Sequence, residues 1–353
     1  MSIMLDEIRQ QPDVLDRTLR EQIPAVESLK RAIVQRQPRM VILAARGTSD
    51  NAALFGRYLL EISTGVPVSM AAPSTFTLYG AKINYRDALV VGISQSGEST
   101  DTNIVIERAR DQGALTVGIT NEAQSSLAGL AEVVFHVKAG QERSVAATKT
   151  YTGQLMMIYL LAYAMGAPIS IDQLRQIPAW ADAALKLEND IGIRASRYRF
   201  MERTVVVGRG LNYANAFEFA LKLMETCYIV AERFSSADFL HGPIAMVESS
   251  FPVFLFTPGG VTWSSMQTIL DKVGVARAEM LLITDRSNPE AVNLGLRTVC
   301  IPARLAQEGP LPEEVFTPIP YIIPAQLFAA ALAEEKGLDP DQPRGLSKVT
   351  RTL

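Results

Sequence analysis

The stretch Met40-Val41-Ile42-Leu43-Ala44-Ala45-Arg46-Gly47-Thr48-Ser49-Asp50-Asn51 decides how the chain is read. Its first six residues are an unbroken apolar run of strand length, as in a strand covered on both faces within a parallel sheet. Arg46 to Asn51 supply turn residues, and a helical pattern follows over 52–62. The same order recurs in the second half. Residues 204–207 run through Gly208-Arg209-Gly210-Leu211-Asn212 into a helical pattern over 216–230. Two strand–turn–helix units, each with an Arg-Gly pair at the turn, point to an internal duplication.

Outward from these units, further apolar runs lie at 88–93, 115–120 and 133–137, and again at 253–256, 279–284 and 298–301. Helical patterns such as 102–112 and 264–275 separate them. Strands alternating with helices predict an α/β chain with parallel sheets covered by helices. The expected division has five parts. Residues 1–35 form a helical arm, in which Ile8, Val14, Leu15, Leu19 and Ile23 recur at helical spacing. Residues 36–165 and 201–336 are two α/β domains. Residues 166–200 link them, with the loop Gly166-Ala167-Pro168 and one helix over 171–196. Residues 337–353, rich in Gly, Pro and charge, form an irregular tail.

With 353 residues, 48% of them apolar and 20% charged, the chain has material for two cores. A net charge of −3 argues against a general nucleic-acid binder, which needs a basic face, yet leaves room for a small basic pocket holding one phosphate. Cys227 and Cys300 stand in no CxxC or metal spacing, so no disulfide framework or zinc site is indicated, and both read as buried inert thiols. The first nine residues carry acids and no long apolar run, unlike a signal peptide. The apolar stretch 155–167 is too short to span a bilayer. A cytoplasmic protein without membrane or nucleic-acid partners is expected.

The strongest local signal is Ser94-Gln95-Ser96-Gly97-Glu98-Ser99-Thr100-Asp101, which follows one predicted strand and opens a predicted helix. Parallel sheets bind ligands at the carboxyl ends of their strands. A helix start offers backbone N–H groups and partial positive charge, which suit a phosphate dianion. The hydroxyls of Ser94, Ser96, Ser99 and Thr100 add donors, and Gly97 lets the backbone turn closely. Gly47-Thr48-Ser49 is a second such turn. Both also fit ordinary Ser/Thr-rich caps. Arg46 fits a ligand contact or a surface cation equally.

In these motifs the chain resembles the SIS family of sugar isomerase domains, in particular the isomerase portion of glucosamine-6-phosphate synthase and the type II glucosamine-6-phosphate deaminases. The resemblance runs through Met4-Leu5-Asp6-Glu7-Ile8-Arg9-Gln10-Gln11-Pro12, the two turns above, Ser144-Val145-Ala146-Ala147-Thr148-Lys149, Ala220-Leu221-Lys222-Leu223-Met224-Glu225, Leu240-His241-Gly242-Pro243 and Asp341-Gln342-Pro343-Arg344-Gly345-Leu346-Ser347-Lys348. It implies two tandem SIS domains, each a five-stranded parallel sheet flanked by helices, in a homodimer with active sites near the subunit boundary. It implies that Thr48, Ser49, Ser94, Gln95, Ser96 and Ser99 hold a sugar phosphate, with Gly47, Val145 and Ser347 completing the substrate-binding set. Ser99 replaces the Thr usual in the synthase and keeps the hydroxyl.

The catalytic set that the resemblance implies is Glu225, His241, Lys222 and Lys348. A carboxylate suits the transfer of one proton between carbons 1 and 2 of an open-chain sugar. Glu225 matches that role, and Lys222, three positions earlier, shares its helix face. From spacing alone the pair reads as an exposed salt bridge. His241, on a turn before Gly242-Pro243, matches a ring-opening histidine supplied by the partner subunit, whereas His136 falls inside a strand pattern and reads as structural. Lys348 matches a tail lysine that can form an imine with the open ketose.

The chain begins where the isomerase portion begins, without the synthase's glutaminase domain. Its expected reaction is therefore hydrolysis of glucosamine 6-phosphate to fructose 6-phosphate and ammonia, without metal or organic cofactor. The tail wording, Pro343 through Thr350, also resembles the deaminase branch. Alternatives are a fructosamine-6-phosphate deglycase, a galactosamine-6-phosphate deaminase or, from another class, a non-catalytic sugar-phosphate sensor.

Overall fold

A computed structural model describes residues 2–348; Val349 and Thr350 of the tail motif, with the three residues after them, lie outside the described residues. Among the described residues are ten strands, β1 (Met40–Ala44), β2 (Val68–Met70), β3 (Ala88–Ile93), β4 (Leu115–Thr120), β5 (Val133–His136), β6 (Arg203–Gly208), β7 (Val230–Ser235), β8 (Pro252–Phe256), β9 (Glu279–Asp285) and β10 (Thr298–Ile301). They form two five-stranded sheets, ordered β2-β1-β3-β4-β5 and β7-β6-β8-β9-β10, with every pairing parallel. The two orders correspond strand for strand, so the duplication inferred from the Arg-Gly turns is a duplication of topology.

One edge strand of each sheet escaped the hydrophobic pattern. β2 has three residues and β7, Val-Ala-Glu-Arg-Phe-Ser, is partly exposed. Residues 216–230 do not form one helix: the helix Tyr213–Cys227 stops where Tyr228 adopts φ 55° and its N–H caps Leu223, and β7 begins at Val230. The linker holds three short helices, Ile171–Leu174, Ile177–Leu185 and Glu188–Ser196, in place of one. The N-terminal arm is likewise two helices, Ile3–Arg9 and Gln11–Arg36. Pro12 stands in the first turn of the second helix, where its missing N–H costs nothing, and Pro24 lies further inside the same helix.

The chain divides into two compact units. One carries the first sheet, 10–142, with 149–176 and 346–348. The other carries the second sheet, 177–345, with 2–9 and 143–148. Within the first, Ile42, Val90, Val105, Ile106 and Leu127 form a buried cluster. The helix Lys149–Ala164 is buried on nearly every side, as a helix apolar all round must be. Within the second, Val205, Val253, Leu255, Ile269 and Leu282 play the corresponding part. Cys227 is buried, and desolvation pushes its thiol up to about 11. Cys300 is only half-buried, because β10 is an edge strand; burial, then the charge of Asp285, raises its pKa too.

The duplication makes the turns after β3 and β8 equivalent, and they differ in what fills them. In the first, Gly97 at φ +67° leaves room for the Ser125 side chain, whose hydroxyl a Cβ would meet at 2.1 Å. In the second, Gly260 at φ +109° leaves room for the Glu314 carboxylate, which a Cβ would meet at 2.2 Å. Glu314 is buried and accepts the backbone N–H of Val261 at 3.3 Å, just before the helix Trp263–Val275. An internal anion thus occupies the second turn. Desolvation raises the Glu314 pKa against the hydrogen bonds it accepts. A carboxyl with a raised folded-state pKa contributes most stability below its unfolded pKa and loses that contribution as pH rises through the folded value. In urea titrations the stability of the wild type relative to Glu314→Gln should therefore decline from acid toward neutral pH; a pH-independent difference would contradict a buried titrating carboxyl here.

Candidate active site

In the unit of the first sheet, β3 delivers the turn 94–99 to the start of the helix Thr100–Asp111. Its hydroxyls organise the turn. Ser94 Oγ accepts the Gly97 N–H at 3.1 Å and Ser96 Oγ accepts the Glu98 N–H at 3.3 Å. Ser99 is the N-cap, accepting the Thr102 N–H at 3.4 Å and the Thr102 hydroxyl at 3.1 Å. A serine used as acceptor keeps its own O–H to donate, so the turn presents hydroxyl donors beside a helix start. Asn103 Nδ2 ties down the Gly97 carbonyl at 3.0 Å. Arg46 pairs with buried Asp101 at 2.8 Å while its own side chain stays 45% exposed. Gly47 precedes the helix Thr48–Thr64, and Ser49 is buried, its Oγ accepting from Gln154 at 2.9 Å.

A cavity of about 400 Å³ opens beside this turn, lined by Gln95, Ser96, Glu122, Gln141, Glu142 and Lys348 among others. The structure thus brings the tail lysine to the same cavity as Gln95 and Ser96 of the turn. Lys348 Nζ lies 3.0 Å from Glu142 Oε2, with the lysine side chain 25% exposed and the glutamate fully buried. Glu142 also accepts the Thr150 N–H at 3.1 Å and the Thr150 hydroxyl at 2.6 Å. Glu142 is not marked in the sequence: a single glutamate in a loop has no periodicity to single it out. Ser347 is exposed.

In the unit of the second sheet, the helix Tyr213–Cys227 holds the acid–base candidates. Lys222 is wholly buried, its Nζ 2.6 Å from Glu225 and 3.3 Å from Glu218. Glu218 has no side-chain exposure, whereas Glu225 keeps 21%. Spacing alone suggested a solvated ion pair; the structure instead shows an ammonium sealed in the protein between two carboxylates, only one of which reaches solvent. Burial by itself would lower the Lys222 pKa, but the charges of Glu218 and Glu225 outweigh it and the net shift is upward. Glu218 was also missed, although its i−4 spacing from Lys222 was visible.

His241 is exposed and follows the short helix Ser236–Leu240, its N–H donating to the Asp238 carbonyl at 3.2 Å. Val145 is half-buried, its N–H donating to the Asp341 carbonyl at 3.3 Å. His136 is a strand residue of β5, half-buried, its pKa lowered by desolvation and then by Lys138. Among the described residues no cluster of three or more His, Cys, Asp or Glu is placed to hold a metal ion, and no helix is long and apolar enough to cross a membrane.

Two parallel sheets of identical order, with a hydroxyl-lined turn at the carboxyl end of β3, define a duplicated α/β fold. The chain belongs to the SIS domain family, whose pattern matches residues 35–164 and 200–333. It is 32% identical over 347 residues to a glutamine–fructose-6-phosphate aminotransferase (isomerizing) of Aquifex aeolicus, covering 98% of this chain and 57% of that protein. It is 35% identical to the Gloeobacter violaceus protein of the same name, again covering 98% of this chain and 58% of that one. The chain therefore spans less than two thirds of these relatives. Its fold matches the C-terminal domain of glucosamine-fructose-6-phosphate aminotransferase from Francisella tularensis with a TM-score of 0.86 at 29% identity, over 97% of this chain and 98% of that one. A glucosamine-6-phosphate deaminase of Thermotoga maritima shares the fold, with a TM-score of 0.75 at 19% identity over 99% and 100%.

Removing one partner of a buried ion pair costs about 3–5 kcal/mol, because the other charge stays buried. Lys222→Met should lose stability of that order in urea unfolding, and Glu218→Gln added to it should recover part of the loss. Strict additivity of the two changes would show that the pair is not coupled.

Proposed function

We propose that the chain transfers a proton between carbons 1 and 2 of a hexosamine 6-phosphate, converting glucosamine 6-phosphate and water to fructose 6-phosphate and ammonia. The observation that carries this reading is the sealed Lys222 ammonium with Glu225 as its one partly exposed carboxylate partner. In this scheme His241 opens the ring. Glu225 removes the proton from carbon 2 and returns it to carbon 1, so the aldehyde-amine becomes a carbon-2 imine. Water adds to that imine and ammonia leaves. Lys222 holds Glu225 in place and lends positive charge while negative charge develops on the sugar oxygen. The turn 94–99, with Gly47, Thr48 and Ser49, holds the phosphate; Lys348 contacts the open-chain sugar, with Val145 and Ser347 beside it.

The likeness to glutamine–fructose-6-phosphate aminotransferases favours one second reading, the same proton transfer run toward glucosamine 6-phosphate. Coupled detection of ammonia and fructose 6-phosphate from glucosamine 6-phosphate tests the hydrolytic direction. Galactosamine 6-phosphate and fructosamine 6-phosphate in the same panel test the deaminase and deglycase alternatives. Ammonia from none of them would exclude the hydrolytic reading.

Glu225→Gln should lower kcat by about 10²- to 10⁴-fold with sugar-phosphate binding largely kept; loss of binding in parallel would make Glu225 a scaffold residue. We further propose a homodimer in which His241 serves the partner's site. Mixing inactive Glu225→Gln and His241→Asn chains under exchange should then restore about a quarter of wild-type activity, since random pairing leaves one intact site in each mixed dimer. No recovery in demonstrably mixed dimers would place His241 at its own chain's site.

A further inference from the structure

A closed ring of hydrogen bonds joins the first helix, the segment 143–145 and the root of the tail, all in the unit of the second sheet. Glu7, on the helix Ile3–Arg9, is 3% exposed. Its two carboxylate oxygens accept consecutive backbone N–H groups, Arg143 at 2.6 Å and Ser144 at 3.2 Å. The next N–H, of Val145, donates to the Asp341 carbonyl at 3.3 Å. The Asp341 carboxylate returns to the first helix, accepting the N–H of Ile3 and of Met4, each at 2.7 Å. The helix is itself fastened by Arg9, which pairs with Glu188 at 2.6 Å. Beyond the ring the tail is gripped again at Arg344. Its N–H donates to the Tyr228 hydroxyl at 2.9 Å and its guanidinium stands 4.2 Å over the Tyr228 ring.

We infer that Glu7 and Asp341 are positioning residues for the reaction, the first helix acting as a brace that fixes the Val145 backbone and the root of the tail together. Charged acceptors make the stronger hydrogen bonds, and one carboxylate spanning two successive amides fixes their orientation as well as their place. Burial of Glu7 means that its loss leaves amides without their acceptor, so the segment must shift. Small displacements of positioning groups cost rate far more than they cost binding of a remote phosphate. The inference rests on the reading that Val145 and the tail serve the sugar. It assigns these two residues no contact with substrate.

The test uses Glu7→Gln and Asp341→Asn in the full chain, variants that keep size and one acceptor oxygen. Each should lower kcat for ammonia release by at least about tenfold. The inhibition constant for inorganic phosphate, which reports the turn 94–99, should stay within about twofold, since that turn shares no residue with the ring. Amide hydrogen exchange should quicken within the ring, at 143–145, at 341–344 and, in Asp341→Asn, at Ile3 and Met4, and nowhere else. Unchanged exchange at 143–145, an unchanged kcat, or phosphate inhibition weakening along with kcat would each overturn the inference. If the wild type releases no ammonia from any hexosamine phosphate, the proposed substrate fails; the ring is then judged by exchange alone, local quickening supporting it and no change refuting it.

Discussion

Every strand in both sheets runs parallel to its neighbours, and that constraint shapes what the protein can do. Parallel neighbours cannot be joined by a hairpin, so each strand needs a crossover, usually helical. All strand-to-helix turns of a sheet therefore gather at one edge, the carboxyl ends of the strands, with helix starts facing the same way. The turns after β1 and β3 are of this kind, and both are legible in the sequence as turns rich in hydroxyls at helix starts.

The same chemistry is handled differently by two lysines. Lys222 is sealed between Glu218 and Glu225 and cannot exchange partners without exposing a buried charge. Lys348 lines the cavity beside Gln95 and Ser96, a quarter exposed, and pairs with the fully buried Glu142. One ammonium is enclosed between two carboxylates, the other keeps part of its surface at a cavity wall. Glu142, buried, is also bonded to Thr150.

The two repeats fill equivalent turns differently. Their sheets are superposable in order, yet the turn after β8 receives the Glu314 carboxylate at Val261, while the turn after β3 is lined by serines that keep a proton to donate. A buried internal anion satisfies the N–H that an external one would seek. Divergence between the repeats thus lies in side chains entering the turn and not in the strands that present it.

Periodicity and turn chemistry in the sequence determined the α/β class, the duplication, eight of the ten strands and the loops at the strand ends, because each of these is encoded by neighbours a few positions apart. Edge strands β2 and β7 were not legible: a three-residue strand has no period, and β7 owes its conformation to pairing with β6 and to the left-handed Tyr228 that ends the helix before it. Lys222 and Glu225 could be named from their motif, but whether they formed a solvated pair or a sealed one depended on what packs over the helix. Glu142 beside Lys348, Glu314 in the second turn and the ring through Glu7 and Asp341 join residues from 53 to 338 positions apart. Contacts of that range leave no mark on local pattern; only the packing of the folded chain decides them.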